Sequence, residues 1–313
     1  MPYIVNTNNN PIFISIETTA FSGATLLSFL LGSHPQIATV GEMDGLLTRQ
    51  SPDEYLCSCG QKIKQCEFWQ SIKVAMADRG FEFDVADFKT RFILNGPDYL
   101  QRLREGTTGN SLESIRDAIL FALPNETHQL KRLVNRNVAL VESVLAVTNK
   151  NVFLDSSKDR LRIKALHRFS RSMDTRAIHL VRDVRGVIAS RVRRSKKPRD
   201  MAKLAQKWVK HHRGLEIALK AWPSEKHIRV RYEDLCQNTK CTLKQLYDFC
   251  GVDSSLRLEE FRTDSQHILG NKMRLKPLSE IKLDERWKEE LTAEQLKIID
   301  CVAGALSRQY GYS

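Results

Sequence analysis

Pro11-Ile-Phe-Ile-Ser-Ile16 is a short apolar run rich in β-branched residues, and a polar turn separates it from Leu26-Leu-Ser-Phe-Leu-Leu31. The first run has the length and composition of a strand, and the second reads as a buried helix. Residues 12–31 are therefore expected to form strand, loop and helix, with Phe21-Ser22-Gly23-Ala24-Thr25 as the loop. Similar apolar runs recur at Ile37 to Val40, Asn151 to Leu154, Ala177 to Val181 and His227 to Val230, each bounded by polar residues. Between them, helical spacing runs over roughly Asp98 to Ala122, Glu126 to Thr148, Arg160 to Arg171, Met201 to Ala221 and Thr239 to Cys250. Such alternation predicts an α/β protein with a doubly wound, mostly parallel sheet flanked by helices and a ligand at the carboxyl ends of its strands. Few strand signals fall between residues 44 and 150, which reads as a largely helical insertion suited to covering an acceptor. No Pro/Gly linker divides residues 1–313, so one domain is the simplest count.

With 42% apolar and 27% charged residues the chain has material for a core and lacks the composition of a disordered one. It contains no apolar run of about eighteen residues, and its first residues are polar and Asn-rich. Neither a signal peptide nor a membrane span is expected, and the predicted location is cytoplasmic. The formal charge of +12 points to an acidic partner, and basic residues crowd between Arg182 and Lys203. No zinc-finger, RRM-like or basic-zipper pattern accompanies them, so nucleic acid is not the expected partner. Seven cysteines, an odd number, argue against a secreted disulfide framework. Cys57, Cys59 and Cys66 cluster, but no His or Cys close by in sequence supplies a fourth ligand, so no metal is expected. Reduced thiols, a local disulfide and a metal completed from elsewhere are the three readings of that cluster.

A loop between a strand and a helix N-terminus is an anion site, because unpaired backbone N–H groups and the helix dipole both point at it. Gly23 lets the backbone approach a phosphate, and Ser22 and Thr25 carry hydroxyl donors; a plain capped turn is the alternative. A nucleotide kinase or ATPase would have Gly-Lys-Ser or Gly-Lys-Thr here, whereas this chain has Gly23-Ala24-Thr25. The second constellation is Arg182, at a strand end, with Ser190 eight residues on in the following helix. That spacing can bring a guanidinium and a hydroxyl to one phosphate. The alternative is an Arg182–Asp183 ion pair beside an ordinary helical Ser190.

These motifs together closely resemble the PAPS-dependent sulfotransferase family. Phe21-Ser-Gly-Ala-Thr-Leu26-Leu27 matches its 5′-phosphosulfate loop, and Arg182 with Ser190 matches its 3′-phosphate pair. His34-Pro35 followed by Gly41-Glu42, the three clustered cysteines with Phe68-Trp69, and Asp155-Ser-Ser-Lys158 agree with the pattern. So do Arg231-Tyr-Glu-Asp-Leu235, Gly270-Asn271 with Arg274, and Gly311-Tyr312. The resemblance implies a P-loop NTPase-like fold that holds PAPS across the strand ends and releases PAP. It places Tyr232 near the adenine or ribose, and Gly270, Asn271 and Arg274 over the nucleotide and its 3′-phosphate.

One position departs from the family pattern. The residue before Ser22-Gly23 is usually Lys or Arg in that family, where it neutralises the oxygen bridging phosphorus and sulfur; here it is Phe21. Lys158 is the leading replacement cation, and Glu42 the leading base for an acceptor hydroxyl, with His34 in reserve. The implied acceptor is a sugar, a tyrosine or a small-molecule or lipid alcohol. A PAPS- or PAP-binding protein without turnover and a basic polyanion-binding scaffold are the alternatives.

Overall fold

The computed structural model describes residues 10–46, 51–93, 112–195, 198–256, 266–270, 275 and 281–313. Among the described residues five strands form one sheet: β1 (Ile12–Glu17), β2 (Ile37–Gly41), β3 (Val152–Asp155), β4 (Asp174–Val181) and β5 (His227–Arg231). Their order is β2-β3-β1-β4-β5, and every pairing is parallel. β1 is central, with Ile12 opposite Val152 of β3 and Asp174 of β4. The α/β architecture with a parallel sheet flanked by helices, expected from the alternation of apolar runs, is the one observed.

A strand covered on both faces should be apolar throughout rather than alternating. β1 follows that rule: Phe13, Ile14 and Ile16 are all fully buried. Phe13 joins Val40 and Phe153 in a core with helices α2 (Glu67–Ala77), α4 (Pro124–Thr148) and α5 (Arg160–Phe169). Ile14 and Ile16 face the opposite way and pack with α1 (Ala24–Gly32), α8 (Tyr232–Gln237) and α9 (Thr239–Cys250). A third cluster gathers the end of β4, α6 (Val184–Arg193), α7 (Met201–Leu219) and the C-terminal α10 (Ala293–Gln309) around Trp208.

Boundaries differ from expectation where polar residues open an element. β4 starts at Asp174 rather than Ala177, because Thr175 and Arg176 pair with β1 although their side chains carry no apolar signal. The predicted helix from Asp98 is described only as α3 (Leu112–Ala122); residues 98–111 lie outside the described part. α4 begins at Pro124, which fits a first helical turn because its missing N–H would lack an intrahelical partner there. This helix lays Leu140 and Val144 into the core shared with β1 and β3, so it is the crossover between β2 and β3. Residues 51–66 form a compact turn-rich knuckle, pinned by the antiparallel bridge Leu56–Lys62. No described helix is long and apolar enough to cross a membrane.

Candidate functional site

All five strands point the same way, so their carboxyl ends deliver side chains to one edge of the sheet. β1 ends in Glu17 and runs through Thr18–Gly23 into α1. Gly23 is the N-cap of α1 at φ +92°, and a Cβ there would stand 2.5 Å from Cδ2 of Tyr232. Only glycine meets both conditions. Phe21 also has positive φ, 70°, which is uncommon for a bulky residue and marks a loop held by its surroundings. Ser22 is buried, with its hydroxyl 2.7 Å from that of Thr19. The backbone N–H groups of Ala24, Thr25 and Leu26 belong to the first turn of α1, where no intrahelical carbonyl is placed to accept from them.

Arg182 follows β4 and is 6% exposed. Its Nη1 donates to the Phe21 carbonyl at 2.8 Å and reaches Ser190 Oγ at 3.4 Å. Nη2 donates to the Asp284 carbonyl at 3.0 Å and pairs with the Asp284 carboxylate at 3.2 Å. The guanidinium lies 4.6 Å from the centre of the Tyr232 ring. Arg286 and Arg182 hold the Asp284 carboxyl well below the usual carboxylate range. Loop, Arg182, Ser190 and Tyr232 are thus brought together. The Arg182–Asp183 pair does not form among the described ion pairs; Asp183 caps α6 and binds Arg185 at 2.7 Å.

Behind Arg182 lies a buried tie to the C-terminus. Glu233 accepts from the Asp183 backbone N–H at 3.1 Å and from the Tyr312 hydroxyl at 2.6 Å. Burial pushes the Glu233 carboxyl up. Arg231 stacks on Tyr312 at 4.4 Å, so the Arg231–Leu235 and Gly311-Tyr312 segments meet in space.

On the other side of β1, Glu42 follows β2 and Lys158 lies three residues beyond β3. They form an ion pair: Lys158 Nζ is 3.1 Å from Glu42 Oε1 and 2.8 Å from the Ser156 carbonyl. The Lys158 turn is fixed by Asp155, which accepts from Ser157 N at 2.9 Å and binds the wholly buried Arg162 at 3.0 Å. Asp44 takes the other arm of Arg162. Gly270 sits against this pair, since a Cβ on it would meet Glu42 Cδ at 3.2 Å. Asn271 and Arg274 lie outside the described residues. His34 is committed to the scaffold: Nδ1 accepts from Gln36 N at 3.2 Å, leaving Nε2 to donate to the Asp253 carbonyl at 2.9 Å. Burial lowers its pKa.

Two features at this edge escape sequence reasoning. Arg191 and Arg194 lie 5.8 and 5.4 Å from the centre of the Phe21 ring, bringing positive charge to the loop from α6. The basic run was the available signal, but not its direction. Glu17, fully buried ahead of the loop, accepts from Ser15 at 2.7 Å, and burial lifts its pKa to about 7. An acid closing an apolar strand was the signal there.

A model of the sulfotransferase family matches residues 21–255, which include the loop, Glu42, Lys158, Arg182, Ser190 and Tyr232. The chain belongs to the sulfotransferase family. No curated protein sequence matches it significantly. Among solved structures, it is similar to the sulfotransferase domain of the Synechococcus PCC 7002 olefin synthase, with 17% identity over 98% of this chain and 96% of that one, TM-score 0.48. A sulfotransferase domain from the curacin biosynthetic pathway is 18% identical over 97% of this chain and 98% of the other, TM-score 0.49. Both are distant likenesses for this sulfotransferase-family chain.

Glu17 gives a pH test of the site's buried charge. Its folded pKa of about 7 lies above the ordinary value of 4.5, so ionisation in the fold costs stability once pH rises above the ordinary value. The penalty is complete above the folded pKa and is on the order of 3 kcal/mol. Glu17→Gln should therefore raise the urea midpoint at pH 8 and give no gain near pH 4.5. Equal midpoint changes at both pH values would show that Glu17 is not held as described.

Proposed function

We propose that the protein transfers the sulfuryl group of PAPS to a hydroxyl of an acceptor and releases PAP. The observation that carries this reading is the contact of Arg182 with both the Phe21 carbonyl and Ser190. It sets a guanidinium and a hydroxyl for one phosphate directly beside backbone donors suited to another. A nucleotide with phosphate at both its 5′ and 3′ positions fits that pair of anion sites. The Arg182 fork already holds the Asp284 carboxylate, so the position accepts negative charge, and a 3′-phosphate would compete with that carboxylate.

In the reaction, an acceptor oxygen attacks sulfur and the bond from sulfur to the 5′-phosphate oxygen breaks. That phosphate leaves with the electron pair, and the acceptor proton passes to a base. Glu42 is assigned as the base and Lys158 as the cation near the leaving oxygen. Their mutual ion pair, and their positions beyond the carboxyl ends of β2 and β3 on one side of β1, support the assignment. The Ser22 hydroxyl and the loop N–H groups would bind the phosphosulfate end, with Gly270, Asn271 and Arg274 on the cover. Arg191 and Arg194 favour a second reading of the cation alone, because they approach Phe21, the position that carries Lys or Arg in the resembling family. The acceptor class is an alcohol of a sugar, a tyrosine or a small molecule or lipid.

PAP titration by calorimetry tests donor binding. Arg182→Ala should weaken PAP binding by about 10- to 100-fold, the worth of a charge-assisted contact. Ser190→Ala should weaken it less and leave the Tyr232–Arg182 packing intact. Unchanged PAP affinity in both variants would remove the donor assignment, and PAP binding abolished by random-sequence DNA would favour the polyanion scaffold.

Turnover separates the catalytic groups from the binding ones. With labelled PAPS and a panel of alcohols, Glu42→Gln should lower kcat by about 100-fold or more. Lys158→Ala should remove roughly 3 kcal/mol of transition-state stabilisation. PAP affinity should hold in both. If Lys158→Ala leaves kcat intact and Arg194→Ala lowers it, the cation is supplied from the C-cap of α6. No transfer to any alcohol, despite tight PAP binding, would make the chain a binding protein.

A further inference from the structure

The three clustered cysteines left unexplained by sequence acquire a fourth partner in the fold. Cys57 and Cys66 place their Sγ atoms 3.4 Å from Nδ1 of His267, and Cys59 Sγ lies 3.7 Å from Cys66 Sγ. All four ligand atoms fall within 4.8 Å of one another. A tetrahedral zinc with Zn–S near 2.3 Å and Zn–N near 2.05 Å requires S···S of about 3.8 Å and S···N of about 3.5 Å. The two S···N separations of 3.4 Å and the Cys59–Cys66 separation of 3.7 Å match those values, and the remaining pairs lie within 4.8 Å. The sulfurs are too far apart for a disulfide and closer than unconnected thiols need be, and all three are free cysteines.

We propose that Cys57, Cys59, Cys66 and His267 hold one Zn²⁺ in a closed, structural Cys3His site. Thiolate and imidazole donors in a tetrahedral set suit zinc. Four protein ligands leave no open position for a reacting molecule, so the site is structural.

Its local construction has the features of a preformed ligand turn. Cys57 N–H donates to the Gln61 carbonyl at 2.9 Å, and Gly60 N–H returns to the Cys57 carbonyl at 3.0 Å, folding the Cys57–Gly60 corner. Cys66 is the N-cap residue of α2, where the helix dipole favours a thiolate. His267 is held flat: Phe68 stacks on its ring at 4.2 Å with an interplanar angle of 2°. Ser58 accepts from Ile268 N–H at 2.7 Å and donates to the Gln266 carbonyl, so the knuckle already grips both neighbours of His267. Cys57 and Cys66 are fully buried.

The consequence reaches the carboxyl edge of the sheet. His267 is 201 residues from Cys66, and the segment it belongs to continues through Leu269, whose N–H donates to the Val40 carbonyl of β2 at 2.7 Å. Gly270 then backs onto Glu42. A metal on His267 therefore staples residues 266–270 across the end of β2. The metal assignment does not depend on the identity of the sulfuryl donor, and metal content is measured without any assay of transfer.

The full chain, purified under reducing conditions without chelator, should carry about one zinc per molecule by elemental analysis. Cys57→Ser and His267→Ala should each lower that content at least tenfold, while Cys241→Ser, which alters an exposed thiol elsewhere, should leave it unchanged. Where a variant fails to fold, exchange of the wild-type site with Co²⁺ should give the intense visible bands of tetrahedral thiolate coordination. Removal of zinc with a chelator should lower Tm by several degrees. Folded wild-type protein that takes up less than about a tenth of an equivalent of zinc would overturn the proposal. So would copper or iron in its place, a Cys59–Cys66 disulfide, or full zinc retention in both ligand variants.

Discussion

Strand β1 is hydrogen bonded on both edges and buried on both faces, and that constraint positions everything at the carboxyl edge. A strand so enclosed has no freedom to shift register, because a one-residue slip would turn Phe13 and Ile14 to the wrong faces. Its end is fixed, and so is the start of the loop that follows. The neighbours inherit the same reference: β3 presents Lys158, β4 presents Arg182, and the edge strands β2 and β5 present Glu42 and Tyr232. No two of these side chains come from the same strand, and parallel pairing sends all five strand ends to one edge, with β4 and β5 ending at the Val181–Arg231 pair, beyond the Gly41–Asp155 level at which β2 and β3 end.

The loop itself is held from the side rather than from within. Arg182 donates to the Phe21 carbonyl, Tyr232 fills the space a Gly23 side chain would need, and Glu233 ties the Asp183 backbone to Tyr312. These contacts join β1, β4, β5 and the C-terminus through polar groups that are largely buried. Such groups are costly when left unpaired, so they specify one arrangement more than they add net stability. The Asp44–Arg162–Asp155 triad acts in the same way under the Lys158 turn. Removing Arg162 would leave the carboxylates of Asp155 and Asp44 without their cation, in a site where the Asp155 side chain is 1% exposed.

Legibility in the sequence follows the range of the interaction. All five strands and the helices following β1, β3 and β4 were readable, because burial on a parallel sheet leaves short apolar runs separated by helical spacing. Arg182 and Ser190 were readable because eight residues of strand end and helix set their separation. The first turn of β4 was not, since Asp174 and Arg176 are polar and paired through their backbones. His267 could not be assigned to Cys57, Cys59 and Cys66 from spacing, because the chain between them crosses the whole sheet. The approach of Arg194 to Phe21 depends on the angle at which α6 leaves Asp183, which no local pattern encodes.

Phe21 separates two jobs that a basic residue there would combine. Backbone donors and the dipole of α1 are independent of the side chain at that position, so on the proposed function anion binding by the loop does not require a cation there. Neutralising a leaving oxygen would require one, and under that proposal the charge would come from a neighbouring strand or helix. On the proposed assignment, Lys158 is paired with Glu42 before reaction, and the pair carries no net charge. When Glu42 takes the acceptor proton, its negative charge disappears and Lys158 is left uncompensated. Positive charge then becomes available as negative charge develops on the departing phosphate. An ion pair between base and cation would thus link proton removal on the acceptor side to stabilisation on the donor side, with stronger interaction in the transition state than in the ground state.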